Sequence, residues 1–188
     1  MALHHQAKLS SQDTFLVLGA SGGIGDIAIR LARAAGIRSI IAVVSKPEKQ
    51  QAVLDAGASS AILTSDLPSL HSDSVTVVID PVGGDPRIES FKLLAPFGRY
   101  VLVGNASGRD STTTLDAVWH RSITITGVSL GGIAHLRPRL AAESARNALN
   151  MLQKDNYRVA TRPIEEIVSL HKELENGKAA TKTVIKIR

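Results

Sequence analysis

The 188-residue sequence contains no cysteine, which excludes disulfides and thiolate metal sites. Aromatic residues are almost as scarce, with three Phe, two Tyr and one Trp. Proteins that bind single-stranded nucleic acid stack the bases on clustered aromatic side chains. We therefore expect no nucleic-acid partner, although the net charge is +5. An anionic small molecule accounts for the scattered lysines and arginines equally well.

Long apolar runs and metal-ligand spacings are also missing. No run approaches the ~20 apolar residues that cross a bilayer, and the opening MALHHQAKLSSQ lacks the apolar centre of a signal peptide. We expect a cytoplasmic protein without a membrane partner. The six histidines do not form H-E-x-x-H or a comparable spacing, so no metal site is predicted.

Short apolar runs alternate with helical patterns along most of the chain. Such alternation predicts an α/β fold, a Rossmann-type doubly wound parallel six-stranded sheet with right-handed crossovers. The predicted strands are Thr14–Gly19, Ser39–Ser45, Ala61–Leu63, Val75–Asp80, Arg99–Gly104 and Ser122–Ser129.

Three segments are predicted. Residues 1–13 form a lead-in helix and linker, 14–156 a nucleotide-binding domain, and 157–188 a C-terminal appendage. The appendage holds a helix at Ile164–Asn176 and a strand at Lys182–Ile187 whose apolar and charged residues alternate. The strand at Ser122–Ser129 is more polar and should lie at a sheet edge. Because exposed edges pair with other chains, we predict a homodimer, which a monomeric mass in light scattering would contradict.

Residues 17–29, VLGASGGIGDIAI, join the first strand to the first helix through glycines. Glycines allow a tight turn, and the helix N-terminus presents N–H groups and partial positive charge to a pyrophosphate. Ala20 replaces the first glycine of the G-x-G-x-x-G fingerprint, and Gly22, Gly23 and Gly25 fit the remaining role. The loop therefore indicates a dinucleotide site.

Two other motifs overlap this loop. Residues 19–23 fit the G-x-S-x-G elbow, which would make Ser21 a hydrolase nucleophile. In that fold several strands precede the elbow, whereas only 13 residues precede this first strand, and no HGGG-type oxyanion loop is present. GASGGIG also resembles the opening of short-chain dehydrogenases, but neither Tyr100 nor Tyr157 is followed by Lys at the fourth position.

The end of the second strand indicates which nucleotide is bound. A site for NAD places Asp or Glu there to bind the ribose 2′-hydroxyl. This strand ends in AVVSKPEK, which offers Ser45, Lys46 and Lys49, while Glu48 lies on the next helix. A hydroxyl and two ammonium groups suit a 2′-phosphate. We therefore predict NADP(H) as the cofactor; the alternative is that both lysines are solvated charges at a helix start.

Several stretches in succession resemble the cofactor domain of medium-chain dehydrogenase/reductases, in particular the zinc-independent quinone oxidoreductase branch. They are LVLGASGGIG (16–25), AGA (56–58), VVIDPVGG (77–84), GRYVLVGNASG (98–108), ITGVSLGG (125–132) and HKELENGKAATKTVIKI (171–187). Family members also carry an N-terminal lobe shaped like GroES, which has no counterpart in these residues. The resemblance implies that the final strand packs on that lobe and has lost its neighbour here.

The resemblance also implies roles for individual positions. The pyrophosphate would bind the backbone from Ala20 to Ile24, which includes Ser21, Gly22 and Gly23. The adenosine 2′-phosphate would face Ser45, Lys46 and Lys49, with Thr64 in the place of a family tyrosine beside the adenine. The nicotinamide and its ribose would lie along Val82, Gly104, Asn105, Ser129 and Leu130.

The implied function is NADP(H)-dependent reduction of a quinone, an enone or a similar carbonyl compound by hydride transfer. The cofactor supplies this chemistry, and no catalytic residue is assigned because the family lobe would provide it. A second hypothesis is a truncated NADP(H)-binding module without turnover. A serine hydrolase that uses Ser21 is a third.

Overall fold

The computed structural model describes residues 1–154, 157, 159–176 and 182–187. A six-stranded parallel sheet has the order β3-β2-β1-β4-β5-β6, so the predicted Rossmann-type doubly wound fold is confirmed. Its strands are β1 Thr14–Val17, β2 Ser39–Val44, β3 Ser60–Leu63, β4 Val75–Asp80, β5 Leu94–Leu102 and β6 Thr124–Gly127. β5 begins at Leu94, earlier than predicted. Its first half was missed because it contains Pro96 and Gly98, which are residues typical of turns.

Helices connect the strands and cover both faces of the sheet. The α-helices are α1 Gly23–Ala34, α2 Gln50–Asp55, α3 Gly84–Lys92, α4 Leu115–Trp119, α5 Leu130–Ile133, α6 Pro138–Lys154 and α7 Ile167–Glu175. A short π-helix lies at Ala2–Gln6, and short 3₁₀-helices lie at Pro47–Lys49, Thr64–Ser69 and Ile164–Glu166. In the part of the chain described here, no helix is both long enough and apolar enough to cross a membrane.

Alternating side chains of β1 divide the core into two layers. Phe15 and Val17 pack in the layer beneath α1, with Ala28 and Ile29 of that helix. Leu16, and Leu18 just after the strand, pack in the opposite layer with Val78 and Tyr100, among other side chains. A strand buried on both faces reads as a continuous apolar run rather than an alternating one, which is why TFLVL predicted β1 correctly.

The C-terminal segment contains a strand that the sequence did not predict. β7, Ala160–Pro163, pairs in parallel with β8, Thr183–Lys186, to form a separate two-stranded sheet. The final strand therefore pairs within this chain, with a neighbour other than the lobe that the resemblance implies. β7 escaped prediction because ATRP is short, fully exposed and ends in proline. Packing of this segment on a catalytic lobe stays a prediction.

β6 lies at the edge of the six-stranded sheet, as its polar sequence predicted. Three of its four residues are exposed, and its hydrogen-bonded neighbour in the sheet is β5. Association of two chains through this edge stays a prediction.

A buried carboxylate ties the N-terminal segment to the sheet. Asp13 accepts hydrogen bonds from the Ser10 N–H at 2.7 Å and the Thr76 hydroxyl at 2.8 Å, and it pairs with the Arg99 guanidinium. Arg99 also donates to the carbonyl of Ala7 at 2.7 Å. Burial opposes ionisation of Asp13, but the hydrogen bonds and Arg99 together outweigh it, so the pKa of Asp13 lies below its ordinary value.

Because its pKa is lowered on folding, ionised Asp13 stabilises the fold above its unfolded pKa of about 4, and this stabilisation is lost as the pH falls through the folded pKa. Asp13→Asn should lower the free energy of unfolding at pH 7 by roughly 1–3 kcal/mol. Urea titrations of both proteins between pH 7 and pH 2 test this. The difference should shrink below pH 4; a difference independent of pH would contradict the assignment.

Candidate functional site

The loop between β1 and α1 is folded too tightly to accept side chains at two positions. Gly19 has a φ of +56°, and a Cβ there would lie 2.8 Å from Cγ2 of Val82. At Gly25, a Cβ would lie 2.5 Å from the carbonyl oxygen of Gly19. The helix therefore approaches the strand at backbone distance, the close approach for which glycine-rich dinucleotide loops use glycine.

The same loop leaves some backbone N–H groups at the start of α1 without an acceptor. The N–H of Ala20 donates to Val43 O at 2.9 Å, and the N–H of Gly22 donates to Gly19 O at 2.9 Å. Among the residues with described positions, the N–H groups of Gly23, Ile24 and Gly25 have no hydrogen-bond acceptor. These three donors, at the positive end of a 12-residue helix, can bind an anion. Ala20 shapes the loop, but its own N–H is already used.

A cavity of about 400 Å³ opens in front of this loop at the carboxyl ends of β1, β2 and β4. Eight of the predicted site residues line it: Ser21, Gly22, Gly23, Ile24, Ser45, Lys49, Thr64 and Val82. The sequence missed Pro81, Pro86 and Ala106 in its wall. In open α/β sheets, ligands bind outside the carboxyl ends of the strands, and the cavity lies in that position.

The other predicted residues do not line this cavity. Ala20 is fully buried behind the loop, and Lys46 precedes the turn that leads into α2. Gly104 and Asn105 are exposed just after β5, and Asn105 lies against Gly83. Ser129 and Leu130 are exposed at the start of α5, where the Ser129 hydroxyl accepts from the Gly132 N–H at 3.3 Å.

A fully buried carboxylate, Asp80 at the end of β4, organises the wall beside Val82. One oxygen accepts from the N–H groups of Val82 at 2.7 Å and Gly83 at 2.9 Å. The other oxygen pairs with the Arg87 guanidinium, which also donates to Gly104 O at 2.9 Å. The pair therefore holds the loops that follow β4 and β5 in one arrangement.

Tyr100 completes this buried network. Its hydroxyl donates to Asp80 at 3.3 Å and shares a hydrogen bond of 2.8 Å with the Ser90 hydroxyl. Burial raises the pKa of Tyr100, and the negative charge of Asp80 acts in the same direction. Tyr100 is therefore neutral throughout the physiological range and acts as a fixed hydrogen-bond donor.

A second cavity, of about 320 Å³, also reaches the glycine loop, at Ser21, Gly22 and Gly23. The C-terminal segment forms much of its wall, with Tyr157, side chains of α7 and β8, and Lys182 just before β8. The Arg30 guanidinium lies 5.0 Å from the centre of the Tyr157 ring and pairs with Asp26 at 3.1 Å. Burial raises the pKa of Tyr157, and the Asp26 carboxylate raises it further. This contact between the segment and α1 was not predicted.

Comparison with known proteins places these features in a family. The model of the family described as "Zinc-binding dehydrogenase" matches residues 23–152, more than half of the sequence. The chain belongs to this family. Membership favours the phosphate-loop interpretation of residues 17–25 over the hydrolase elbow, and the described residues show no hydrogen bond from Ser21 to a histidine.

Three individual relatives share between 25% and 30% of their residues with this chain over the matched regions. Quinone oxidoreductase-like protein 2 of Bos taurus is 30% identical over 160 residues, which are 81% of this chain and 46% of that protein. Highly-reducing polyketide synthase 1 of Aureobasidium melanogenum is 26% identical over 95% of this chain and 9% of the synthase. The quinone oxidoreductase structure from Pseudomonas syringae pv. Tomato DC3000 has a TM-score of 0.74 and 25% identity, covering 96% of this chain and 58% of that one. The chain thus spans about half of a quinone oxidoreductase-like protein and under a tenth of a synthase.

The family description implies zinc, which the described side chains do not fit. In that part of the structure no three His, Cys, Asp or Glu residues converge on a point where a metal ion could bind, and the sequence has no cysteine. Zinc sites use three or four such ligands.

Proposed function

We propose that this chain is the NADP(H)-binding domain of an oxidoreductase that transfers hydride between nicotinamide and a quinone, an enone or a similar carbonyl compound. One observation carries the proposal. A single cavity joins the unpaired N–H groups at the start of α1 to Ser45, Lys49 and Thr64 on one side and to Val82 on the other. Family membership and the quinone oxidoreductase-like relatives support the reaction class.

The adenosine end of the cavity favours a 2′-phosphate. Ser45 and Lys49 line it, and Lys46 lies next to Ser45. A carboxylate that could accept the 2′-hydroxyl of NAD(H) does not line the described cavity, and the side chain of Glu48 is exposed outside it. In this proposal the hydroxyl and the ammonium groups hold the 2′-phosphate, since charge-assisted hydrogen bonds to phosphate are stronger than neutral ones.

Lys49→Gln is expected to weaken NADPH binding roughly 10-fold and to leave NADH binding unchanged, because it removes a charge that only the 2′-phosphate meets. Fluorescence titration of both nucleotides measures the two dissociation constants. Lys172→Gln, at an exposed position of α7 outside both cavities, is the matched control and should alter neither constant. Equal weakening of both nucleotides by Lys49→Gln would contradict a role in selectivity.

The nicotinamide half would lie along Val82, Gly104, Asn105, Ser129 and Leu130. When bound, the nicotinamide supplies or accepts the hydride; the chain binds and orients it and excludes competing reactions. Asp80 and Arg87 contribute indirectly, because they fix the backbone of Val82, Gly83 and Gly104. We assign no proton donor to this chain.

A binding module without turnover is the second candidate, and one observation favours it. Leu130, on the proposed nicotinamide side, is 59% exposed, so this face is open to solvent. Hydride transfer needs both reactants held in close register. Assays of NADPH oxidation with a panel of quinones and enones distinguish the enzyme from the binding module. Turnover within the ordinary enzyme range of about 1–10³ s⁻¹ would establish the enzyme, and saturable NADPH binding without oxidation would establish the module.

A further inference from the structure

We propose that the chain has a further ligand site, which binds an uncharged two-ring aromatic compound that carries a hydrogen-bonding oxygen. The site is a cavity of about 410 Å³ between α3, β5 and α4. Among the described residues, those that line it are all different from those that line the two cavities at the glycine loop. A ligand here leaves the proposed nucleotide cavity free, and the inference does not rest on the proposed function.

The short connection between β5 and β6 explains why this cavity exists. α4 has only five residues, so it covers part of the sheet face opposite α1 and leaves the rest open. Ile125 of β6 lies beside Tyr100 of β5 in the sheet and is 39% exposed, and Leu102 is only half-buried. The open area lies between these side chains and α3.

The floor of the cavity is apolar and partly aromatic. Its apolar side chains are Ile88, Phe91, Leu102, Ala117 and Ile125. The ring centres of Phe91 and Tyr100, which both line it, lie 5.9 Å apart in a tilted arrangement. Aromatic rings pack favourably on such pairs. Since an apolar cavity of about 150 Å³ holds one benzene molecule, this cavity has room for two fused rings.

Three consecutive hydroxyl groups, those of Ser111, Thr112 and Thr113, lie in the wall above this floor. Within the described part of the chain, none of the three side-chain hydroxyls has a hydrogen-bond partner. Ser111 is half-buried, so its hydroxyl is the most sheltered of the three. A ligand oxygen would satisfy a group that ligand binding would otherwise cut off from water.

The charges in the wall favour an uncharged ligand. Arg87 pairs with the buried Asp80 and, at 3.5 Å, with Asp110. The other two cations, Lys92 and Arg121, pair with Glu89 and Asp73, respectively. An anionic ligand would have to displace one of these carboxylates. The cavity therefore offers apolar contact and neutral hydrogen bonds rather than an unpaired charge.

Isothermal titration of the full chain with 2-naphthol tests the site. We expect saturable binding of one molecule per chain with a dissociation constant below about 1 mM. Ala117→Phe should weaken binding at least ~10-fold because the larger side chain fills the cavity. Leu115→Phe is the matched control on the same helix: Leu115 is 80% exposed outside the cavity, and the affinity should stay at the wild-type value. Ser111→Ala, which removes only the hydroxyl, should weaken binding about 2- to 10-fold.

Circular dichroism should show that all three variants are folded, and Ser111→Ala decides the matter if Ala117→Phe is not. Three results would overturn the proposal. Affinity unchanged by both Ala117→Phe and Ser111→Ala would place the probe elsewhere, and competition with NADPH would place it in the nucleotide cavity. Tighter binding of the anion 2-naphthoate than of 2-naphthol would show that an unpaired charge, rather than neutral hydrogen bonds, selects the ligand.

Discussion

Gly23→Val is expected to abolish NADPH binding, weakening it at least ~100-fold, while the fold is retained. Among the described residues, a Cβ on Gly23 meets no atom closer than the flexible ammonium of Lys182 at 3.9 Å, so the loop has room for a β-carbon. The larger side chain would instead occupy the space in front of the helix N-terminus, where the diphosphate has to approach the backbone. Fluorescence titration gives the affinity, and thermal unfolding confirms the fold.

Two neighbouring substitutions make this test specific. Ser21→Ala should leave NADPH binding nearly intact, because in this account the residue contributes small size and backbone position rather than a hydroxyl. Gly25→Ala should instead destabilise the protein, since its Cβ would lie 2.5 Å from Gly19 O and 2.6 Å from the Cα of Ala20. NADPH binding by Gly23→Val within threefold of wild type would show that no nucleotide contacts the loop there.

Asp80→Ala is expected to lower the free energy of unfolding by roughly 3–5 kcal/mol. The carboxylate is fully buried, and its loss leaves the Arg87 guanidinium, the N–H groups of Val82 and Gly83, and the hydroxyl of Tyr100 without their shared acceptor. An uncompensated charge in the interior costs far more than a surface ion pair contributes. Urea denaturation at pH 7 measures the change.

The matched control is Asp85→Ala, five positions along the chain. Asp85 pairs with Arg109 at 2.9 Å, but both side chains are largely exposed, so the loss should stay below about 1 kcal/mol. Adding Arg87→Met to Asp80→Ala should recover part of the lost stability, because it removes a largely buried guanidinium whose remaining ionic partner is the exposed Asp110 at 3.5 Å. Equal effects of Asp80→Ala and Asp85→Ala would contradict the organising role of the buried pair.

The sequence predicted the six-stranded sheet well because its signals are local. Buried parallel strands such as β1, β2 and β4 appear as short, uninterrupted apolar runs that end in turn residues. The first half of β5 was missed because it contains Pro96 and Gly98. β7 was missed because its exposed residues carry no periodic signal, and its strand conformation depends on pairing with β8 more than 20 positions later.

The same distinction, between local sequence signals and contacts of distant residues, applies to the site. The glycine loop and the residues after β2 follow directly from neighbouring strands, so Ser21, Ser45 and Lys49 could be placed from their positions alone. The approach of Lys182 to the loop could not be predicted, because no spacing in the sequence relates it to Gly23. The role of Asp80 was hidden for a related reason: VVIDPVGG shows the carboxylate, but its partners Arg87 and Tyr100 are brought to it by α3 and β5.

Titration of the wild-type chain with NADPH and NADH under identical conditions tests the central claim most directly. The account predicts saturable binding of one nucleotide per chain, with NADPH bound more tightly than NADH because Ser45, Lys46 and Lys49 meet its 2′-phosphate. Tighter binding of NADH, or no saturable binding of either nucleotide, would contradict it.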